Sequence, residues 1–462
     1  MLSMSLSFKN SPYKSHFHKI FFDNNSNSGP GANNLLITKR RLPYPYKAAL
    51  TICNDIDSTN TLEQFLAIQE FLNTKNKTIM GEGLGLEIGN SFYPIRNKHG
   101  AFALMSQNPS DKEVIIDLIK LGYIDSIHSF NAAENREKIH DIVNFLHENK
   151  CKLEVWVNHS IVSSNIGPLK SDLGDKIDSE HYHTDISIKK LGYKFVWMYE
   201  VSNIIGQGRP LHLRSFFSSL DRRHFFQSLY NNVLKEICKY ILAFVHWKYA
   251  DRKYNDLIYP VQLSDGQWIF KFIRSDAFYG GIGPGANSEG LSSVLREDIL
   301  NELKKSEGYM IVYTHLGKHN NFPYISKDTQ KALRSLEREY RTGNIYVTTT
   351  GKLLNYYVNS QYLKWNVEKK KEKTYIKIEE INDPVRGSFI PSIDDLRGIT
   401  FYTNDPESTH IFIQDKEISE MVINGLDFTG RKSVMIPLKP LPSLEYKINE
   451  YKKKGYLGPW QQ

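Results

Sequence analysis

The sequence predicts an α/β protein in which a parallel sheet or barrel is followed by a smaller β domain. Three observations support this prediction. The chain has 462 residues, more than the ~250–300 residues at which a single core stops growing. From Ala48 to about residue 357, short apolar runs alternate with helical periodicity, which is typical of strands and helices around a parallel sheet. After Tyr357, short alternating strands follow one another with turn residues between them, which is typical of an antiparallel β-sandwich.

These patterns divide the chain into three parts. Residues 1–45 form an N-terminal extension that is partly disordered by composition, because the stretch 23–34 is rich in Asn, Ser and Gly. Residues 46–357 form the α/β domain. Residues 358–462 form a small C-terminal β-sandwich domain.

Each element is predicted from its own pattern of apolar residues. Residues 48–53 form a buried strand because they are almost entirely apolar, and 61–73 form a helix because Leu62, Phe65 and Leu66 begin an apolar face at helical spacing. The same two patterns predict helices at 112–121, 134–149 and 329–341, and strands at 124–127, 152–157, 195–198, 268–273, 309–313 and 344–349. Strict alternation or short apolar runs predict the C-terminal strands at 373–379, 398–402, 409–413 and 433–437.

Composition and charge exclude several classes of protein. The net charge is +8, from 59 basic and 51 acidic residues, and the basic residues are too interspersed for a nucleic-acid partner. No apolar run reaches the ~18–20 residues of a membrane helix. The N-terminus lacks the basic-then-apolar order of a secretory signal, and three distant cysteines form no disulfide framework. We therefore expect a cytoplasmic protein without a transmembrane segment, and the sequence leaves its oligomeric state open.

Polar side chains follow four of the predicted strands. Asp55 and Asp57 follow the first, and His128, His159 and His315 each follow a later one. A single histidine in such a place usually caps a turn, and Asp55 or Asp57 could cap the next helix. In a parallel barrel, however, the carboxyl ends of all strands meet on one face, so we expect these side chains to converge. Carboxylates and imidazoles are suitable ligands for a divalent ion, and Zn²⁺ is the ion we expect.

The motifs resemble those of the NodB-type polysaccharide deacetylases, carbohydrate esterase family four. The stretch 51–57 is similar to the family's first motif, Thr-Phe-Asp-Asp-Gly. The stretch 128–132 is similar to the second, His-Ser/Thr-x-x-His, and 313–315 to the last, Leu-x-His. The resemblance covers residues 46–357. It implies a distorted (β/α)₇ barrel and a metal-dependent hydrolase that removes an N-acetyl or other acyl group from a sugar or polysaccharide precursor.

The resemblance also implies a role for each residue. Asp55 is the general base by motif order, His315 is the acid, and Asp57 and His128 bind the metal. Ala132 stands where the family has a second histidine ligand, and His159, one strand later, is the substitute. Ile56 separates the two acids, so which of them is the base and which is the ligand stays open. Without a signal sequence, the expected substrate is a nucleotide- or lipid-linked sugar.

Two further groups of residues are predicted to contact the carbohydrate substrate. His183 and Asp185 would share one face of an extended segment. Arg274 and Asp276 follow the strand 268–273, and an arginine there suits an anionic or hydroxyl-rich substrate. Two alternatives remain: glycoside cleavage by Asp55 with Asp185 or Asp276, and a carbohydrate-binding protein that has lost its metal.

Overall fold

The computed structural model describes residues 37–95, 102–130, 135–159, 161–281, 285–319 and 321–458. The first strands are β1 (Thr38–Lys39), β2 (Ala48–Asp55), β3 (Lys77–Thr78), β4 (Gly81–Glu82), β5 (Gly89–Phe92), β6 (Ile124–His128), β7 (Val155–Val157), β8 (Phe195–Ser202), β9 (Ile258–Gln262), β10 (Trp268–Ser275), β11 (Tyr309–Thr314) and β12 (Ile345–Val347). The later strands are β13 (Leu363–Lys370), β14 (Lys373–Asp383), β15 (Gly387–Phe389), β16 (Thr400–Tyr402), β17 (Thr409–Ile413), β18 (Lys416–Glu417), β19 (Val422–Asn424) and β20 (Ser433–Met435). The helices are α1 (Leu62–Asn73), α2 (Pro109–Leu121), α3 (Arg136–Glu148), α4 (Thr184–Leu191), α5 (Phe225–Ser228), α6 (Lys235–Leu242), α7 (Ser288–Val294), α8 (Glu297–Ser306), α9 (Lys327–Arg341), α10 (Thr350–Tyr362) and α11 (Glu445–Lys453).

The main sheet is a curled, mostly parallel half-barrel. Its order is β11-β2-β5-β6-β7-β8-β10-β9, and β12 pairs with β2. Every pair is parallel except β9 with β10. Within the described ranges, no ladder joins the two edges of this sheet. The predicted α/β class is confirmed, because strands and helices alternate around a parallel sheet as the sequence pattern requires.

The register of the sheet brings the carboxyl ends of its strands together. Asn54 lies opposite Thr314, and Asp55 lies opposite Ser91. His128 lies opposite Val157, the last residue of β7. The residues that follow these strands therefore meet at one edge of the sheet, as expected for parallel strands.

The helices begin and end where local chemistry dictates. The Thr61 side chain accepts a hydrogen bond from the Gln64 backbone N–H and starts α1. Asn108 caps α2, which has Pro109 in its first turn, and Gly122 ends it in the left-handed region at φ 85°. These signals explain why the predicted helices lie within a few residues of the observed ones.

The C-terminal strands form two sheets, ordered β1-β16-β20-β19 and β13-β14-β17-β18, with β15 on β14. The antiparallel expectation is wrong for one pair, since β14 and β17 are parallel. Between them the chain passes through β16 in the other sheet, and such a crossover connection permits parallel pairing. β1 pairs with β16, so residues 38–39 of the predicted N-terminal extension belong to this C-terminal sheet.

The C-terminal part shares its apolar core with the half-barrel. Ile376 and Phe401, one from each small sheet, lie in the same buried cluster as Phe195 and Ile311 of the main sheet. The predicted boundary at residue 358 therefore does not coincide with a break in the core. Among the described helices, none combines the length and the apolar character needed to cross a membrane.

The last helix, α11, seals a second apolar cluster beside α1 and α2. Ile448 is fully buried in that cluster, and the Tyr451 hydroxyl donates to Asp117 at 3.0 Å. We expect Ile448→Ala to lower the free energy of unfolding by about 2–5 kcal/mol, because it leaves a cavity in a packed core. Urea denaturation measures this. Tyr446→Ala in the same helix is the control: its side chain is 74% exposed, so a comparable loss there would contradict this packing.

Candidate metal centre

The centre of the site is a group of two carboxylates and one imidazole. Asp55 ends β2, and a short 3-10 turn, Ile56–Ser58, carries Asp57. The ligand atoms of Asp55, Asp57 and His315 all lie within 4.8 Å of one another. His315 Nε2 lies 3.2 Å from Asp57 Oδ1 and 3.5 Å from Asp55 Oδ2. These three residues could hold a metal ion.

The hydrogen bonds of His315 fix its ring in an orientation suited to a ligand. Its Nδ1–H donates to the carbonyl of Ala286 at 2.8 Å, so Nε2 is the atom that faces the carboxylates. A metal-bound histidine usually donates its other N–H to a carbonyl or carboxylate in this way. The Tyr313 hydroxyl lies 2.9 Å from Nε2. The Leu316 backbone N–H donates to Asn54 Oδ1 at 2.9 Å and ties the end of β11 to the end of β2.

The two carboxylates have different electrostatic surroundings. Burial acts to raise the pKa of Asp55, but the attraction of His128, His315 and His159 outweighs it and holds that pKa well below its usual range. Burial and the negative charge of Asp55 raise the pKa of Asp57. The side chain of Asp55 is fully buried, whereas that of Asp57 is 20% exposed. Asp55 is therefore the permanent anion of the site, and Asp57 faces its opening.

His128 and His159 lie beside this group, around the ring of Tyr93. His128 Nε2 lies 3.0 Å from Asp55 Oδ2 and 2.9 Å from the hydroxyl of Ser91. The Tyr93 ring meets both imidazoles edge-on, at centroid distances of 4.5 Å for His128 and 5.0 Å for His159. In the described part of the chain, Nδ1 of each histidine and the Tyr93 hydroxyl are buried without a hydrogen-bond partner. Buried polar atoms normally have partners, so three such atoms close together are unusual for a protein interior.

Arg274 brings a buried positive charge to the same end of the sheet. Its side chain is among the largest that are fully buried. The guanidinium carbon lies 4.2 Å from the centroid of the Trp197 ring and 4.5 Å from that of Tyr313. Within the described ranges, its Nε and Nη1 have no hydrogen-bond partner. A buried guanidinium with two unused donors is suited to bind a carboxylate or a phosphate.

The comparisons with known proteins add nothing to this geometry. No family model, curated protein or solved structure matches the chain. The interpretation of the site therefore depends on its own chemistry.

The structure brings the five central predicted residues together but groups them differently from the prediction. Asp57, His128 and His159 were the expected ligands, whereas the tightest group pairs Asp57 with Asp55 and His315. His128 and His159 lie next to each other, with ring centroids 5.5 Å apart. Ala132, which aligns with the family's second histidine, lies outside the described residues.

His183, predicted to bind substrate, is instead part of the core. It lies at the start of α4 and packs on Trp156 at a centroid distance of 4.8 Å. Its Nε2–H donates to the Ser164 carbonyl and its Nδ1 accepts from the Ser187 hydroxyl, each at 2.9 Å. Both ring nitrogens are used inside the protein, so neither is available to a substrate.

The buried His183 gives the protein a predictable acid sensitivity. Burial lowers its pKa from 6.5 to about 4. Above pH 6.5 the ring is neutral in both states and contributes no pH dependence. As the pH falls towards 4, only the unfolded chain gains the proton, so the free energy of unfolding falls by up to about 3 kcal/mol.

We expect His183→Gln to show a smaller drop in melting temperature between pH 7 and pH 5 than the wild type. An unchanged drop would contradict this role. His159, whose pKa burial also lowers to about 4, contributes to whatever drop remains.

Two other predicted substrate contacts, Asp185 and Asp276, do not belong to the cluster formed by Asp55, Asp57 and His315. Asp185 forms an ion pair with Arg136 at 2.6 Å on the outer side of α4, where both side chains are over one-third exposed. Asp276 accepts a hydrogen bond from the Phe278 backbone N–H at 2.9 Å. It lines a cavity of about 520 Å³ whose wall includes Trp197.

Sequence reasoning missed Ser91, Tyr93, Trp197 and Tyr313 as parts of the site. Ser91 and Tyr93 belong to or follow β5, Gly89–Phe92, which was not predicted as a strand. Gly, Asn and Ser have low strand propensity, so this strand forms because it is buried between β2 and β6. The aromatic pair Phe92-Tyr93 before Pro94 was the only local signal.

Proposed function

We propose that the chain is a metal-dependent hydrolase that removes an acyl group, N-acetyl in the simplest case, from a sugar. We also propose that its half-barrel is a divergent NodB-type (β/α)₇ barrel. One observation carries the proposal: Asp55, Asp57 and His315 present their ligand atoms within 4.8 Å of one another at the carboxyl edge of the sheet. The strands that carry them are the ones whose motifs resemble that family.

The donor set fits a divalent ion. Two carboxylates and an imidazole whose other nitrogen donates to a carbonyl are common ligands of Zn²⁺ at catalytic sites. Glycoside cleavage by Asp55 with Asp185 or Asp276 fits less well: Asp185 is paired with Arg136 on the outer side of α4, and Asp276 lines a cavity whose wall does not include Asp55. A divalent ion held there would lower the pKa of a water molecule and polarise the acyl carbonyl.

The protein's own residues then have separate tasks. Asp55, Asp57 and His315 hold the ion, and His128, whose Nε2 lies 3.0 Å from Asp55 Oδ2, orients that carboxylate. His159 is half-buried at the opening, and burial lowers its pKa to about 4, so its ring is neutral near pH 7. A neutral imidazole can take a proton from the attacking water and return it to the leaving amine.

Arg274 provides the substrate contact. Its Nε and Nη1 have no partner in the described part of the chain, and a planar guanidinium binds carboxylate or phosphate oxygens through two parallel hydrogen bonds. We infer that the acylated sugar carries such an anionic group. Trp197 also lines the cavity of about 520 Å³, where an aromatic ring can contact the sugar itself.

The test begins with metal content. Protein purified without chelator is stripped, reloaded with Zn²⁺, Co²⁺ or Mn²⁺, and analysed for bound metal. Acetate release is then measured from N-acetylated sugars with and without a phosphate. We expect about one equivalent of metal and hydrolysis that a chelator abolishes. Binding of sugars at well under one equivalent of metal would favour a carbohydrate-binding protein instead.

A further inference from the structure

The helical segment 225–242 carries an apolar stripe that faces away from the protein. The segment consists of α5, a π-helical turn (Leu229–Leu234) and α6. One side of it packs through Val233 on Ile204 and Phe216. On the exposed side, apolar residues recur every three or four positions and continue past the helix end; we call this set the outer stripe: Phe226, Tyr230, Leu234, Cys238, Ile241 and Val245.

The outer stripe is far more exposed than such side chains usually are. Phe226 is 83% exposed, Tyr230 71% and Val245 74%. The solvent side of a surface helix is normally polar. An exposed apolar row on a helix whose other side is already packed marks an interaction surface.

The chain segment that contains the outer stripe is strongly basic. Residues 209–253 contain nine Lys and Arg but only three Asp and Glu, a net charge of +6 in a chain whose total is +8. Arg222 and Arg223 lie exposed just before α5, and Lys235 and Lys248 lie exposed along and beyond α6. Most of the net charge of the chain therefore lies in the segment that carries the outer stripe.

We propose that the outer stripe docks on the surface of an anionic lipid bilayer. A helix with an apolar row flanked by Lys and Arg lies in the plane of the membrane interface, where its apolar side chains enter the headgroup region and its cations face anionic lipids. A second copy of the chain fits less well, because a two-fold contact would bring two +6 regions together. The segment docks on the membrane without crossing it.

The docking surface adjoins the cavity of about 520 Å³ that Asp276 also lines. Asn231, Lys235 and Lys239 of the same segment line that cavity, and so does Trp197, which contacts Arg274. A protein docked through the outer stripe holds this cavity close to the lipid headgroups. If the proposed hydrolase function is correct, a lipid-linked sugar phosphate is therefore the substrate class.

Co-sedimentation with vesicles tests the docking surface. The full chain is mixed with phosphatidylcholine vesicles, with or without phosphatidylserine. We expect binding to the phosphatidylserine vesicles only, and weaker binding at high salt because the basic residues are exposed. The double variant Phe226→Asp/Ile241→Asp should bind at least about tenfold less. Arg222→Glu/Lys248→Glu should lose the preference for phosphatidylserine. Leu426→Asp, at a residue 64% exposed in the C-terminal part, is the control and should bind like the wild type.

Three results would overturn the docking proposal. The wild type could ignore phosphatidylserine vesicles. It could bind them equally well with the outer stripe substituted. Finally, size-exclusion chromatography could show a dimer that Phe226→Asp/Ile241→Asp converts to monomer, which would assign the stripe to a second copy. None of these measurements needs metal or turnover, so failure of docking and failure of the hydrolase proposal are distinguishable.

Discussion

His315→Ala should lose bound metal and turnover together. The ring presents Nε2 to both carboxylates, at 3.2 Å from Asp57 and 3.5 Å from Asp55, while its Nδ1–H is held by the Ala286 carbonyl. Removing a ligand should weaken metal binding by more than the ~10–100-fold that is typical of losing a supporting hydrogen bond. Metal titration followed by atomic absorption, together with acetate release, measures both quantities.

The control for His315→Ala is His319→Ala, one turn further along the chain. His319 pairs with Glu289 at 2.7 Å. It is not one of the three proposed metal ligands. It should keep full metal content and turnover. If His315→Ala instead keeps its metal but loses roughly 10²–10⁴-fold in turnover, His315 is the general acid, the role that the family resemblance implies. Full metal with near-normal turnover would remove it from the site altogether.

His159→Gln should show the opposite pattern, with metal retained and turnover lost. His159 lies next to His128, 5.5 Å away between ring centroids, and its Nδ1 has no partner among the described residues. Because His159 is the group proposed to move the proton, its replacement should lower kcat by roughly 10²–10⁴-fold with little change in KM. Rates measured on the zinc-loaded variant at several pH values provide the test.

Two comparisons make the His159 experiment decisive. His140→Gln replaces another partly buried histidine, on α3, whose pKa burial also lowers, and it should leave turnover unchanged. If His159→Gln loses its metal along with its activity, His159 is a ligand, as the sequence predicts. If kcat stays within about threefold of the wild type, the proton carrier lies elsewhere, and Asp57 becomes the next candidate.

The sequence by itself determined the class of fold and the edge of the sheet that carries the polar residues. Hydrophobic periodicity located β2, β6, β10 and β11 and the helices α1, α2, α3 and α9, because buried strands and amphipathic helices leave local patterns. The convergence of Asp55, His128 and His315 followed from parallel topology alone, since every strand of a parallel sheet ends on the same side.

The tertiary structure decided which residues at that edge touch. Register and strand order set these contacts, and neither can be predicted from local sequence patterns. Asp55 and Asp57 group with His315 because β11 is the hydrogen-bonded neighbour of β2, whereas β7, which precedes His159, lies three positions away from β2. His183 looked functional beside Asp185, but the fold buries it against Trp156 and satisfies both its nitrogens. The exposure of the outer stripe could not be predicted from the sequence either. A helix with apolar residues on several sides has the pattern of a buried helix, and only its packing shows which side is exposed.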